Sequence, residues 1–303
     1  MQTKNTYEAL LAASESIRWR VEDIIGGDKR LDFTRPFMPE SLARVEQLSF
    51  LTPYEQRTLN QIRGNAYLCI FGLVEEFILP FVLDHAKPQL RDDAYRIRAL
   101  LQFAGEEAKH IHLFKCFRQD FASGFCAPCG VIGPPEQIAS AVLSYSPLAV
   151  GLVILHIEWM TQSHYVESVK DDRQIDPQFK SLLRHHWMEE AQHAKLDKLM
   201  VEALAAELSE AEIERGVEEY IEIGGLLDSH FMRQVELDMK ALMRATRRSL
   251  TENQKNEFRE IQRQANRWTY LGSGMTHANF LMTLESLSPA ARERVESIAP
   301  SFC

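Results

Sequence analysis

Two five-residue segments of the chain carry metal-binding residue types at helical spacing. EEAKH and EEAQH each contain Glu-x-x-His, formed by Glu107 with His110 and by Glu190 with His193. Residues three apart lie on one face of a helix, so each pair can hold one metal ion. Chance alone yields roughly one such pair in a chain with ten histidines, so the motif by itself does not assign a site.

A constant offset links these pairs to two further glutamates. Glu190 follows Glu107 by 83 residues, and Glu158 follows Glu75 by the same 83. In each half the lone glutamate precedes its Glu-x-x-His by 32 residues, which suits a helix, a turn and an antiparallel return. Both lone glutamates lie in apolar helical stretches, where an uncompensated carboxylate is costly. Glu76 is the alternative to Glu75, but only Glu75 keeps the 83-residue offset.

Four carboxylates and two neutral imidazoles form a donor set for two divalent cations, whose charge balances that of the carboxylates. Mixed oxygen and nitrogen donors favour two iron ions, with manganese or a mixed iron–manganese pair as the alternatives, over structural zinc. The predicted metal ligands are Glu75, Glu107, His110, Glu158, Glu190 and His193. No nucleotide or flavin motif and no Ser or Cys nucleophile motif is recognisable, so no organic cofactor is predicted.

The second half contains one further imidazole. His186 precedes Glu190 by four residues and shares its helical face, whereas Phe103 occupies the corresponding position of the first half. His186 is therefore a candidate seventh ligand, and the alternative is a packed core histidine. The adjacent His185 points outward by the same geometry.

Glu-x-x-His twice, with an extra His four residues before the second motif's Glu, resembles the p-aminobenzoate (arylamine) N-oxygenase family of diiron proteins. The resemblance covers roughly residues 55–208. It implies a ferritin-like bundle with accessory helices, two irons, O₂ as co-substrate, and oxidation of an amine towards hydroxylamine or nitro. It also implies that His186 binds metal together with the six residues above.

Helical periodicity runs through nearly the whole chain. The sequence predicts an all-α single domain over 1–303, with a ferritin-like four-helix bundle at about 55–208 and accessory helices in 1–54 and 209–303. The first predicted helix covers about 6–25. The predicted bundle helices run from TPYEQ to Asp84, from Leu90 to Ser123, through a third helical region that ends near Lys170, and from Pro177 to Leu208. Three further helices are predicted to begin at SEAE, SLTENQ and SLSPAARERVESI.

Composition excludes several classes of partner. A net charge of −9 disfavours binding to nucleic acid or to an anionic membrane surface. The apolar stretch YLCIFGLVEEFILPFVL carries two central acids, so it is interpreted as a core helix rather than a membrane span. Five scattered cysteines and an N-terminus without a signal-peptide pattern favour the cytoplasm. The CAPC pair is interpreted as incidental, and Glu106 with Lys109 as a solvated face.

These patterns predict a non-haem diiron oxygenase (a monooxygenase) or oxidase that activates O₂ and acts on a small organic substrate. N-oxygenation of an amine rests on the resemblance. An external electron donor and a small homo-oligomer, a dimer, are expected. The alternative is an iron-handling ferroxidase or storage protein, and a third hypothesis is a structural relative that binds no metal. The 95 residues after the bundle favour a covered substrate pocket over a minimal four-helix shell.

Overall fold

The computed structural model describes residues 6–91 and 93–303, and most of these residues lie in helices, as the sequence predicts. Within those ranges the only β-type pairing is one isolated bridge between Gly26 and Lys29. The α-helices are α1 (Tyr7–Ser16), α2 (Glu40–Ala43), α3 (Pro53–Ala86), α4 (Ala94–Gly124), α5 (Pro135–Leu143), α6 (Pro147–Ser163), α7 (Pro177–Ala205), α8 (Glu210–Thr246), α9 (Glu252–Arg267), α10 (Ser273–Met275), α11 (Ala278–Leu287) and α12 (Pro289–Ile298).

Two antiparallel helix pairs form the bundle. α3 packs along α4, α6 packs along α7, and α4 and α7 meet to join the two pairs. The passage from the first pair to the second runs through the Gly- and Pro-rich loop and α5. The all-α, ferritin-like fold class is confirmed. The assignment of the whole chain to one domain stays a prediction.

Side-chain caps set the start of the bundle helices where the sequence predicts them. Thr52 and Glu55 form a reciprocal capping box at α3, with Pro53 in the first turn. The Asp176 carboxylate accepts a hydrogen bond of 2.6 Å from the Phe179 N–H at the start of α7. These caps satisfy backbone N–H groups that have no partner inside the helix.

Helix α3 is buried on almost all sides because α4, α5 and α8 pack around it. Its length and composition alone would allow it to cross a membrane, and 72% of its most apolar window is buried inside the protein. A helix that is apolar all round belongs in a core, so the buried Glu75 near its centre requires specific partners.

The N-terminal helix is shorter than predicted, ending at Ser16 instead of near residue 25. Ile17 adopts an extended conformation, and the chain then forms a short 3₁₀ turn at Val21–Asp23. Gly26 and Gly27 have positive φ angles of 107° and 60°, which reverse the chain direction. Tertiary contacts account for the early end, because α1 and the segment after it lie against α4 and α7.

Two helices continue into π-turns. α6 passes into a π-turn at His164–Val169, and α9 passes into another at Trp268–Gly272. The third predicted helix therefore reaches its predicted end near Lys170, but with a wider final turn. Such π-turns are frequent near functional sites.

Candidate metal centre

All seven predicted ligands are buried in the middle of the bundle. α3 contributes Glu75, α6 contributes Glu158, and the remaining five come from α4 and α7 as Glu107, His110, His186, Glu190 and His193. Each is at most 2% exposed. Helices from both halves of the sequence repeat therefore direct their ligand-type side chains to one place.

Six of the seven side chains form two overlapping four-donor groups. One group is Glu75, His110, His186 and Glu190, and the other is Glu107, His110, Glu190 and His193. Within each group the donor atoms lie within 4.8 Å of one another. Bonds of about 2.0–2.2 Å to a common ion place donors roughly 3–4 Å apart, so each group needs only small shifts to close on an ion. Glu158 belongs to neither group.

Glu190 is the central carboxylate. Its Oε1 lies 2.6 Å from His186 Nε2 and 3.1 Å from His110 Nδ1, and its Oε2 lies 2.9 Å from His193 Nδ1. One carboxylate thus contacts all three imidazoles with both of its oxygens. This is the placement expected of a carboxylate that bridges two ions.

The glutamate that precedes each Glu-x-x-His motif is hydrogen-bonded to the histidine of the other motif. His193 Nε2 donates to Glu106 Oε2, and His110 Nε2 donates to Glu189 Oε2, both at 2.9 Å. The first glutamate of each Glu-Glu doublet is therefore an outer partner of a ligand-type histidine. The interpretation of Glu106 as part of a solvated face is wrong, because it is only 3% exposed.

These outer bonds fix which ring nitrogen faces the site. Because Nε2–H donates outward, the hydrogen-bond geometry directs Nδ1 of both histidines towards the inner carboxylates. His193 Nδ1 lies 2.8 Å from Glu107 Oε1, and His110 Nδ1 lies 3.7 Å from Glu107 Oε2. At such distances either a proton or a cation lies between Nδ1 and the carboxylate oxygen that faces it, so metal ions can take the place of protons here.

Orphaned polar atoms support the same conclusion. Among the residues the structure describes, no partner oriented for a hydrogen bond is found for Glu75 Oε2, both oxygens of Glu107, Glu158 Oε2, Glu190 Oε1 and His110 Nδ1, although ring nitrogens lie near some of these oxygens. Buried polar atoms are otherwise nearly always satisfied in folded proteins. The donor set therefore fits a pair of metal ions, which would satisfy these atoms together.

The pKa values of Glu190 and Glu158 are shifted in opposite directions. Despite burial, the charges of His186, His193 and His110 hold the pKa of Glu190 well below its usual range. Burial, and then the charge of Glu190, raise the pKa of Glu158 well above its usual range.

The outer carboxylates differ between the halves. Glu189 also forms an ion pair with Lys109, whose ammonium lies 3.9 Å from the centre of the Trp19 ring. Glu106 instead accepts hydrogen bonds from two neutral groups, Ser14 Oγ at 2.6 Å and Gln102 Nε2 at 2.9 Å. Burial opposes ionisation of Glu106, but its bond to His193 and these two donors lower its pKa to about 2.

The alternatives at Glu76 and His185 have clear positions. Glu76 is exposed and faces a surface cleft, away from the donor groups. His185 is partly exposed, and its ring meets the Trp19 ring edge-on at 5.6 Å. Phe103, which corresponds to His186 in the first half, stacks on the His193 ring at 4.0 Å. That metal binds Glu75 rather than Glu76, and binds His186, stays a prediction.

Three spaces adjoin the centre, and the smallest of them, of about 10 Å³, is lined in part by His186 itself. A small, apolar cavity of about 30 Å³ is lined in part by Phe71, Val74 and Ile157, and the last two are chain neighbours of Glu75 and Glu158. A larger cleft of about 930 Å³ runs between α3 and α4. Phe114 lines this cleft, and its ring lies 5.1 Å from the His186 ring, so one aromatic side chain separates the cleft from the donor groups.

The CAPC cysteines line the same cleft. Cys126 is exposed, Cys129 is half-buried, and no cysteine of the chain is in a disulfide. Burial raises the pKa of Cys129 to about 12, so its thiol is protonated at neutral pH and a poor nucleophile. This agrees with the interpretation of the pair as incidental.

No protein-family model matches the chain, and no curated protein matches it in sequence. Among solved structures it is similar to variants of an R2-like ligand-binding oxidase. One, with an aerobically reconstituted Fe/Fe cofactor, is 16% identical, with a TM-score of 0.44 over 87% of this chain and 92% of that chain. Another, with an anaerobically reconstituted Mn/Fe cofactor, is 15% identical, with a TM-score of 0.47 over 90% and 93%. Similarity at this level does not assign a metal or a reaction.

Proposed function

We propose that this protein is an O₂-activating, non-haem dimetal oxidoreductase that acts on a small organic substrate. The observation that carries the proposal is the pair of overlapping donor groups in the bundle core. Several of their inner atoms, among them both oxygens of Glu107 and Nδ1 of His110, lack hydrogen-bond partners among the described residues, and Glu106 and Glu189 fix the orientation of two imidazoles. Iron is the proposed metal at both positions, with manganese or a mixed pair as the alternatives.

When bound, two such ions share the electrons and the Lewis acidity that reduction of O₂ requires. The chain's own part is to hold the donors and to exclude water. Phe71, Phe103 and Phe114 pack against the His186 and His193 rings, so the imidazoles lie in an apolar shell. Such a shell keeps solvent from the reacting atoms.

The adjoining spaces favour an organic substrate over iron storage. The cavity of about 30 Å³ has the size and apolar lining that a diatomic gas needs, whereas the cleft of about 930 Å³ has room for an organic molecule. α8 and the π-turn at Trp268–Gly272 cover the α3–α6 side, where Tyr220 is hydrogen-bonded to His156 at 2.7 Å. A minimal ferroxidase bundle has no need of this cover.

The finer proposals rest on the sequence. The extra imidazole at His186 supports N-oxygenation of an amine through the resemblance to the arylamine N-oxygenases. Because the chain shows no nucleotide or flavin motif, we propose that an external donor supplies electrons. We also propose a cytoplasmic protein that forms a dimer and binds neither nucleic acid nor membranes.

The test is to load the protein with Fe²⁺ without oxygen, expose it to O₂, and add candidate arylamines with a chemical reductant. The proposal expects each protein molecule to consume O₂ once without substrate and repeatedly with substrate, giving an oxidised product by mass spectrometry. Continued oxidation of added Fe²⁺ to a retained mineral core, with no organic product, would support the storage alternative and overturn the oxygenase.

A further inference from the structure

One buried carboxylate beside the centre lies outside the predicted ligand set. Asp197 on α7 is 1% exposed, and neither of its oxygens has a hydrogen-bond partner among residues 6–91 and 93–303. Leaving a buried carboxylate without partners is costly, because no group in the protein replaces the hydrogen bonds that water would supply. Such a group in a folded protein calls for a specific reason.

Helical geometry directs Asp197 towards the centre. His186, Glu190, His193 and Asp197 follow one another at spacings of four, three and four residues, so they form one stripe along α7. Asp197 is the last member of this stripe, one turn beyond His193. By the 83-residue offset, Phe114 occupies the position of the first half that corresponds to Asp197. This acid therefore has, like His186, no counterpart in the first half.

Its charged neighbours are the members of one donor group. Burial, and secondarily the charges of Glu107 and Glu190, raise the pKa of Asp197 well above its usual range, while His193 acts in the opposite direction. The charge of Asp197 in turn raises the pKa of Glu158. Asp197 itself is in neither four-donor group, so it is not one of the inner donors.

We propose that Asp197 is a positioning residue for a hydrated divalent cation at the Glu107–Glu190–His193 position, where its carboxylate accepts a hydrogen bond from the hydration water of the ion. This inference rests on the proposed metal centre. It explains why a carboxylate with no protein partner is kept in the core, because the cation and its water supply both the opposite charge and the missing donor.

The test measures Mn²⁺ affinity, by the signal of free Mn²⁺ in electron paramagnetic resonance, in the wild-type protein and in Asp197→Asn. Asparagine keeps the size of the side chain and removes its charge. We expect the affinity of one of the two Mn²⁺ positions to fall about 10- to 100-fold, the usual effect of losing an outer partner of a metal site. Asp197→Leu, which also removes the unpartnered polar atoms, should show the same loss.

The matched control is Asp238→Asn on α8. Asp238 is equally buried and also has one oxygen, Oδ2, without a partner in the described part of the chain, but its charged neighbour is Arg63 rather than a metal-site residue. It should leave Mn²⁺ affinity unchanged. Unaltered affinity in both Asp197 variants, with two ions in wild type, would overturn the role of Asp197 alone. Wild-type protein that binds no Mn²⁺ or Fe²⁺ would overturn the metal centre itself.

Discussion

The outer carboxylate Glu106 offers a sharp test of how the imidazoles are held. Its Oε2 accepts a hydrogen bond of 2.9 Å from His193 Nε2, inside a fully buried environment. Glu106→Gln keeps the size of the side chain and an acceptor oxygen but removes the negative charge. The His193 imidazole then loses a charged hydrogen-bond acceptor. That acceptor fixes the orientation of the ring and makes its Nδ1 a stronger metal ligand.

The expected magnitude follows from that one bond. A hydrogen bond to a charged group contributes about 1.5–3 kcal/mol, and about 1.4 kcal/mol corresponds to a tenfold change in affinity. Glu106→Gln should therefore weaken the binding of one metal ion by about 10- to 100-fold. The other ion should be affected less, because the outer partner of His110 is Glu189.

Competition with a chromophoric chelator measures both affinities in one titration. The control is Glu202→Gln on the same bundle, since Glu202 forms a partly exposed pair with Lys198 farther along α7 and should have no effect. If Glu106→Gln binds both ions as tightly as wild type while remaining folded, the outer bond does not support the site.

Further predictions address the remaining ligands. Glu75→Ala should lower metal loading far more than Glu76→Ala, because only Glu75 faces the donor groups; elemental analysis showing the reverse would break the repeat argument. His186→Ala should retain most of the metal but change the absorption transient after reduced protein meets O₂, whereas His185→Ala should behave as wild type; an unchanged transient would make His186 a packing residue. Burial lowers the pKa of His110 and His193, but the charge of Glu190 and the other carboxylates outweighs it, so both pKa values lie well above the usual value. Both imidazoles are therefore protonated in the metal-free protein. Metal uptake should then release protons and weaken as pH falls from about 8 to 6, which calorimetry in two buffers of different ionisation enthalpy measures; uptake without proton release would contradict this.

The sequence was informative where a pattern repeats. Helical periodicity predicted the all-α fold class, and the 83-residue offset predicted that four helices direct their ligand-type residues to one level of a bundle, because ligand-type residues at helical spacing share a face. Caps such as Thr52 and Ser209 predicted the start of α3 and α8, since their hydrogen bonds are local.

Features that depend on packing between distant segments were missed. The burial of Glu106 depends on α1 and α7, which lie far from it in sequence, so a charged residue beside Lys109 looked like solvated surface. The doubled glutamate in both motifs was the signal that could have revealed it. The end of α1 at Ser16 likewise depends on contacts with α4 and α7, which local propensity does not encode.

The number of metal ions per chain tests the central claim most directly. Protein loaded anaerobically with Fe²⁺ and freed of excess metal should contain two ions per chain by elemental analysis, and Glu107→Ala or Glu190→Ala should lose most of that binding. Zero or one ion in the wild-type protein would contradict a dimetal centre and the function proposed from it.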